Sequence, residues 1–426
     1  MNKQTKVLIV SNIEWSDQNA FGNSISNWFN NLNNIEFASL YTRNSLPNNK
    51  VCSKYYRISL LSIIKNVFSH QRIGEYFQLS NKEKEIILKS ENINLERKII
   101  NYLHKKKIKV FSYLQNKIYR LKWWNNRRYK NFINEFDPDI VFSFITSSES
   151  IYMLIKSIIK LKPTCKYVGF IADDVYGVSK SQRSKFIIKD LIDSASILYG
   201  ASIPLCSLYK KKFTKEINVL YKGCDFDFIE SKNFSNNQLS IVYAGNLLYG
   251  RCDTLIKLID FFKKYNSKNH IKIILNIYTS TLLGDSIMDK LNDKETSFLY
   301  SSIPYNKIKE VLRVADIVLH VESFDKKQID IVKYSFSTKI IDCLQSGSPI
   351  MAVGPNNIAS IEYIKKIPGT IVVDNFDNIG DIVNYINIKD LINSCIETRK
   401  YAIENHDINI VQEHLMNDFK KILEKE

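Results

Sequence analysis

Short apolar runs alternate along most of this chain with longer stretches in which apolar residues recur every three or four positions. Lys6 to Asn12 reads as a buried strand, and a polar loop, Ile13 to Phe21, leads through Gly22 into a helical pattern at Ile25, Trp28, Phe29 and Leu32. Glu36 to Tyr41 reads as a second strand, so the opening segment predicts a βαβ unit. The alternation resumes with strands at Asp139–Thr146, Lys166–Ala172, Ser196–Tyr199 and Ile217–Tyr221, with helices to about Lys160 and over Ser181–Asp193. Lys222 to Asp225 and the polar run Ser231 to Gln238 read as a linker. Beyond it, strands are predicted at Leu239–Ala244, Ile271–Tyr278, Ser297–Ile303, Asp316–Val321, Pro349–Val353 and Thr370–Val373. Helices fill the intervals at Thr254–Tyr265, Asp285–Leu291, Tyr305–Val314, Thr338–Gln345 and Ile358–Ile367, and the tail from Asn405 is helical. So regular an alternation predicts α/β architecture with doubly wound parallel sheets.

The pattern breaks between Pro47 and Lys130, where helix-like polar segments suggest an insertion of about residues 47–130. Between Arg97 and Lys130 stand twelve basic residues and no acidic one. Aliphatic residues and Trp123-Trp124 are interleaved with them. Basic and aromatic residues mixed on a helix suit an anionic membrane surface. Nucleic acid and an ordinary solvated face are the alternatives.

Composition adds little to the fold and more to the setting. The 426 residues suffice for two or three domains, and 45% hydrophobic content argues against disorder. The formal net charge of +16 favours an anionic partner. The seven cysteines are scattered without a C-x-x-C pair, as expected of small core residues in a reducing compartment. The six histidines form no metal-ligand spacing with them, so no metal is expected. No apolar run approaches the length of a membrane span.

The stretch Tyr334 to Pro355 concentrates the candidate chemistry. Ser337 and Thr338 suit a helix N-cap, Gly347 ends the helix, and Ile350 to Val353 is a buried strand. The helix start and Lys339 together suit a phosphate, and Asp342, one turn on, suits sugar hydroxyls. An ordinary capped helix is the alternative. Asp173 and Asp174 end a predicted strand, at the sheet edge where open α/β folds bind ligands. Gly22 is either a simple turn or a point where backbone approaches a ligand, such as an acceptor or phosphate.

Taken together, Tyr243-Ala244-Gly245-Asn246-Leu247 with Arg251 and Asp253, Ala315 to His320, and Ser337 to Gly354 resemble the family 4 (retaining) glycosyltransferases of the GT-B fold. Within that family the likeness is to enzymes of bacterial surface-polysaccharide assembly. The resemblance implies two Rossmann-like domains facing across a cleft. An acceptor-binding domain would span 1–222, a nucleotide-sugar-binding domain 223–400, and a helix in 401–426 would pack back on the first domain. The family's Gly-Arg-Leu-x-x-x-Lys-Gly loop maps Gly245 onto the Gly, Asn246 onto the Arg and Arg251 onto the Lys. Of its Glu-x7-Glu pair only the second has a counterpart, Asp342, as the ribose ligand. Tyr334 stands where the first would be, and Glu322 and Asp325 are out of register.

The implied enzyme moves a hexose from a nucleotide sugar, its substrate and not a cofactor, to a glycan or lipid-linked acceptor, with retention and without metal. Arg251 and Lys339 would stabilise the departing diphosphate. Gly245, Asn246, Ser337, Thr338 and Asp342 would bind the donor, and Asp173 or Asp174 would be the base should the enzyme invert. The expected setting is cytoplasmic, peripheral at the inner face of the cell membrane through residues 97–130, with no nucleic-acid partner. A nucleotide-sugar epimerase of the same fold and a non-catalytic binding protein are the rival readings.

Overall fold

A computed structural model describes residues 4–32, 34–60, 62–63, 73–90, 116–226, 232–235, 237–380 and 387–424. The chain divides into two compact units. The first comprises residues 1–201, 206–220 and 413–426, the second residues 202–205 and 221–412.

The first unit is built on a sheet of eight strands, β1 (Thr5–Ser11), β2 (Ile35–Tyr41), β3 (Lys54–Arg57), β4 (Glu75–Gln78), β5 (Ile140–Phe144), β6 (Lys166–Ile171), β7 (Ile197–Gly200) and β8 (Asn218–Val219). Their order is β4-β3-β2-β1-β5-β6-β7-β8, parallel except for the β3–β4 pair. β1 therefore has β2 on one side and β5 on the other, and the winding reverses between β1 and β5. The centre of the sheet is dry, since Val7, Leu8, Ile9, Val141 and Phe142 are buried. The helix Ala20–Phe29 packs Trp28 and Phe29 against the rings of Phe142 and Phe170. Phe419 of the last helix, Ile408–Glu424, meets Phe29 with ring centroids 6.1 Å apart.

Two strands lie inside the segment expected to be an insertion. β3 and β4 extend the sheet at its edge, because Tyr55 and Tyr56 alternate to opposite faces and both are buried. Residues 97–115 of the basic stretch lie outside the described residues. In the remainder, Trp124 is a core residue, against the expectation of a membrane-facing pair. Its indole N–H donates to the Tyr119 carbonyl at 2.9 Å and its ring meets Tyr129 edge-on. Trp123, Leu121 and Lys122 are exposed, while Arg120 pairs with Glu149 at 2.8 Å.

The second unit carries six parallel strands, β9 (Gln238–Ala244), β10 (Lys272–Thr279), β11 (Ser297–Ser301), β12 (Ile317–Val321), β13 (Ile350–Val353) and β14 (Ile371–Val373). The order β11-β10-β9-β12-β13-β14 reverses its winding between β9 and β12. One core lies on each face. Ile317, Leu319 and Val321 of β12 join Leu255, Leu258 and Ile259 of the helix Arg251–Lys268. Val318 joins Ile340, Ile341 and Leu344 of the helix Lys339–Ser346. That helix ends at Gly347, which is left-handed at φ 70°. The helices Ile203–Phe213 and Lys326–Val332 were not anticipated from the apolar pattern. Lys222 to Cys224, within the stretch expected as a linker, is buried in this unit instead. Cys224 is fully buried and bridges to Asp407, and the Lys222 side chain is 3% exposed.

The doubly wound architecture expected for both halves is thus present in each, and sequence-read boundaries hold to within a few residues. The physical cause is the same in both: helices cover both faces of a parallel sheet, so its strands become continuous apolar runs.

Candidate functional site

In open α/β sheets, ligands bind beyond the carboxyl ends of the strands where the winding reverses. In the second unit that place lies past the ends of β9 and β12. The chain leaves β9 at Gly245, whose N–H donates to the Tyr278 carbonyl at 2.9 Å. It turns through Asn246 and reaches Gly250, which is left-handed at φ 72°. A side chain at Gly250 would also meet Ser323 Oγ, so glycine is required there twice over. Arg251 then opens the helix.

Arg251 does not project into solvent; it is 8% exposed. Its Nε donates to the Val321 carbonyl at 3.2 Å and to Glu322 Oε2 at 3.1 Å. Nη2 donates to Glu322 Oε1 at 3.0 Å, and Nη1 to Asn246 Oδ1 at 2.8 Å. The carboxylate is therefore gripped bidentately, and Asn246 holds the free corner of the fork. Glu322 itself is 1% exposed. Burial works to raise its carboxyl, but neighbouring His320 and Arg251 outweigh it and hold the group below its ordinary value.

His320 shares the β12 face with Glu322, two residues on. Its Nε2 approaches Glu322 Oε1 to 3.2 Å without the alignment of a hydrogen bond, and that nitrogen has no hydrogen-bond partner. Burial, with Lys339 and Arg251 nearby, depresses the imidazole below its usual value despite Glu322.

Lys339 completes the group. Its ammonium lies over Gly245, where an added Cβ would come within 2.0 Å of it, and 5.5 Å from the Tyr243 ring centroid. It makes no hydrogen bond or ion pair with a described residue. Burial and then the Arg251 charge push its pKa down to about 8. The cluster thus combines one neutralised cation, Arg251, with one unengaged cation, Lys339, at the end of a buried strand. Such a place is electrostatically incomplete without an anion.

The other donor-side candidates divide. Ser337 and Thr338 were expected as capping hydroxyls, but the cap residue Thr338 makes no side-chain capping bond. Ser337 contributes its N–H, donated to Ser360 Oγ at 3.0 Å. Asp342, one helical turn from Lys339, makes its hydrogen bonds to other residues. Its Oδ1 accepts from the Tyr305 hydroxyl at 2.7 Å and from Lys222 Nζ at 3.1 Å. A polar cavity of about 180 Å³ opens beside it, lined also by Lys309, Arg313 and Gln345. Of the out-of-register carboxylates, Asp325 caps the helix Lys326–Val332 by accepting from the Lys327 and Gln328 N–H groups.

Asp173, Asp174 and Gly22 belong to the first unit. Asp173 is exposed. Asp174 closes the turn after β6, its Oδ1 accepting from Gly177 N at 2.8 Å and from the Tyr209 hydroxyl at 3.0 Å. Gly22 lies inside the first helical turn, where a Cβ would strike the Ser16 backbone at 2.2 Å. The close approach expected of this glycine is to its own chain.

Glu322 and His320 escaped sequence reasoning as site residues. The available signal was a histidine and a glutamate breaking or ending a strand otherwise apolar at every position from Ile317.

No protein-family model matches the sequence, and no curated protein matches it significantly. Solved structures do. Anabaena Alr3699/HepE in complex with UDP and glucose superposes with a TM-score of 0.61 at 8% identity, over 98% of this chain and 100% of that one. The fold is GT-B. A Candida albicans trehalose-6-phosphate phosphatase N-terminal domain gives 0.60 at 11% identity, over 97% and 96% of the two chains. The E. coli trehalose-6-phosphate protein bound with UDP-2-fluoro glucose gives 0.57 at 11% identity, over 98% and 99%. In this GT-B chain the Arg251–Lys339 cluster lies in the C-terminal Rossmann-like unit.

Proposed function

We propose that this chain is a glycosyltransferase that moves a hexose from a nucleotide-sugar donor to a glycan or lipid-linked acceptor of cell-surface polysaccharide, with retention. The observation that carries the reading is the unengaged Lys339 ammonium beside the braced Arg251 guanidinium, at the point where the second sheet reverses its winding. Support also comes from HepE and the E. coli protein, whose structures hold UDP or a UDP-sugar.

In this reading the bond between the anomeric carbon and the diphosphate oxygen breaks as negative charge grows on the phosphate. Lys339 and Arg251 stabilise that charge, and it grows in a place already desolvated. The acceptor hydroxyl forms the new bond, and its proton passes to the leaving phosphate. Asp342, Gly245 and Asn246 complete the donor site, and Asp342 presents its remaining oxygen to the ribose.

Reaching a lipid-linked acceptor requires contact with a membrane, and the basic stretch 97–130 supplies it at the cytoplasmic face. Exposed Leu121, Lys122, Trp123, Arg127, Arg128 and Lys130 belong to the described part of that surface. Each engaged Lys or Arg contributes roughly 1 kcal/mol at an anionic bilayer.

The test is thermal unfolding of the full chain across a panel of nucleotide sugars and nucleoside diphosphates, followed by donor hydrolysis with any that stabilise. A ligand at a hundred times its Kd adds about 2.7 kcal/mol. Stabilisation by one nucleotide class with slow hydrolysis of its sugar is expected. No shift and no hydrolysis with any donor would overturn the reading.

A further inference from the structure

Arg251 and Glu322 are 71 positions apart in sequence, yet they form an enclosed ion pair: their side chains are 10% and 2% exposed. A carboxylate beside a site for a diphosphate is electrostatically adverse, since it repels the ligand that the cations attract. Its presence there calls for a physical reason.

A structural pairing alone is a weak reason, because a buried ion pair of this kind is seldom more stable than apolar side chains of similar volume. The geometry supplies a better one. Glu322 engages Nε and Nη2, the Val321 carbonyl shares Nε, and Asn246 takes one hydrogen of Nη1. The guanidinium plane is thus set by three partners on two sides. One N–H on each Nη is left over by these partners. Thr254 Oγ1 donates to the Glu322 carbonyl at 3.0 Å, tying the strand end to the helix that carries Arg251.

We infer that Glu322 is the positioning carboxylate of the donor site, aiming the free edge of Arg251 at the terminal phosphate of a nucleoside diphosphate. The inference rests on the nucleotide-sugar reading above. It assigns to Glu322 no contact with substrate; the residue acts through Arg251. It also accounts for a missing feature of the resemblance, since the carboxylate absent at Tyr334 is not replaced in kind. Glu322 serves the cation instead of the sugar.

The sign of one measurement separates positioning from charge. Replacing Glu322 by glutamine removes a negative charge near the anion site, so electrostatics alone would tighten diphosphate binding. Loss of aim would weaken it. Calorimetric titration of the full-length protein with UDP, GDP and ADP identifies the diphosphate that binds, and its monophosphate gives the terminal-phosphate contribution as a ratio of Kd values. For Glu322→Gln we expect binding of the diphosphate to weaken about tenfold or more, in the range of a charged hydrogen bond. Monophosphate binding should be nearly constant. Glu322→Asp keeps the charge but withdraws the carboxylate by one methylene, and it should lower the same ratio. In an Arg251→Met background neither change should weaken the diphosphate further.

Equal or tighter diphosphate binding by a folded Glu322→Gln protein overturns the inference, as does a silent Glu322→Asp. Failure of both variants to fold also overturns it, because it would mark Glu322 as a structural counter-charge only. If the unaltered protein binds none of the diphosphates, the nucleotide reading itself has failed. That result is distinguishable from all of these.

Discussion

The two units present the same edge of the same kind of sheet, and they furnish it in opposite ways. Past β1 and β5 of the first unit the polar groups satisfy one another. Ser148 and Ser150 donate to Asn12 Oδ1 at 3.0 and 3.1 Å, and the buried Glu149 carboxylate is taken by Arg183 and by Arg120 at 2.5 and 2.8 Å. Past β9 and β12 of the second unit, one carboxylate faces Arg251, His320 and the unengaged Lys339. The glycines follow the same division. Gly22 is packed on Ser16 backbone, whereas Gly245 is packed on the end of a flexible lysine. A shared reversal of winding therefore does not decide where an anion binds; the balance of charge left over at the edge does.

Removing the surplus cation should have the largest effect. Lys339→Ala is expected to lower glycosyl transfer by about a hundredfold, on the order of 3 kcal/mol, as loss of a charge-stabilising contact does elsewhere. Arg251→Ala should do the same. Steady-state turnover of the donor found in the ligand panel checks both, and unchanged turnover in the single and double variants would erase the contrast between the edges.

The glycines give the next largest effect and separate stability from binding. Gly22→Ala should destabilise the protein by roughly 1–3 kcal/mol, because rigid backbone must move. Nucleoside-diphosphate affinity in the surviving folded fraction should not change. Gly245→Ala should do the reverse, displacing a side-chain tip with little effect on Tm while weakening the diphosphate. Thermal melts paired with titrations read both.

The pH dependence sharpens the comparison further. Lys339 loses its proton near pH 8 in the folded chain, against an ordinary 10.5. Between these values the unfolded chain holds a proton that the folded one has released, so this group's contribution to stability rises with pH. Anion affinity runs the other way, falling as pH passes about 8, by roughly tenfold per unit at most. Lys339→Arg should move that fall to higher pH. Titrations between neutral and alkaline pH decide it, and a flat profile in the unaltered protein would exclude Lys339 from the ligand.

The smallest expected effect is that of Asp342→Asn. Tyr305 and the enclosed Lys222 both engage its Oδ1, so this carboxylate has a structural role as well. The change should cost about 1–3 kcal/mol of stability by leaving Lys222 without its counter-charge, together with a modest loss of nucleotide affinity. Chemical denaturation beside the same titrations measures the two parts.

What the sequence determined by itself was everything whose cause is local. Apolar runs covered on both faces marked the strands of both sheets other than β3 and β4, and Gly347 after Leu344 marked a helix end, because backbone conformation and burial pattern are set by near neighbours. Arg251 was singled out by the resemblance, and Lys339 by its place at the start of a helix. The tertiary structure alone decided which groups meet. Only the order β9-β12-β13 brings Glu322 and His320 to Arg251 and Lys339. Only packing buries Trp124 against Tyr129 and turns Asp342 toward Lys222. A carboxylate's partner, and so whether it binds, positions or merely braces, depends on charges many residues away that no local pattern encodes.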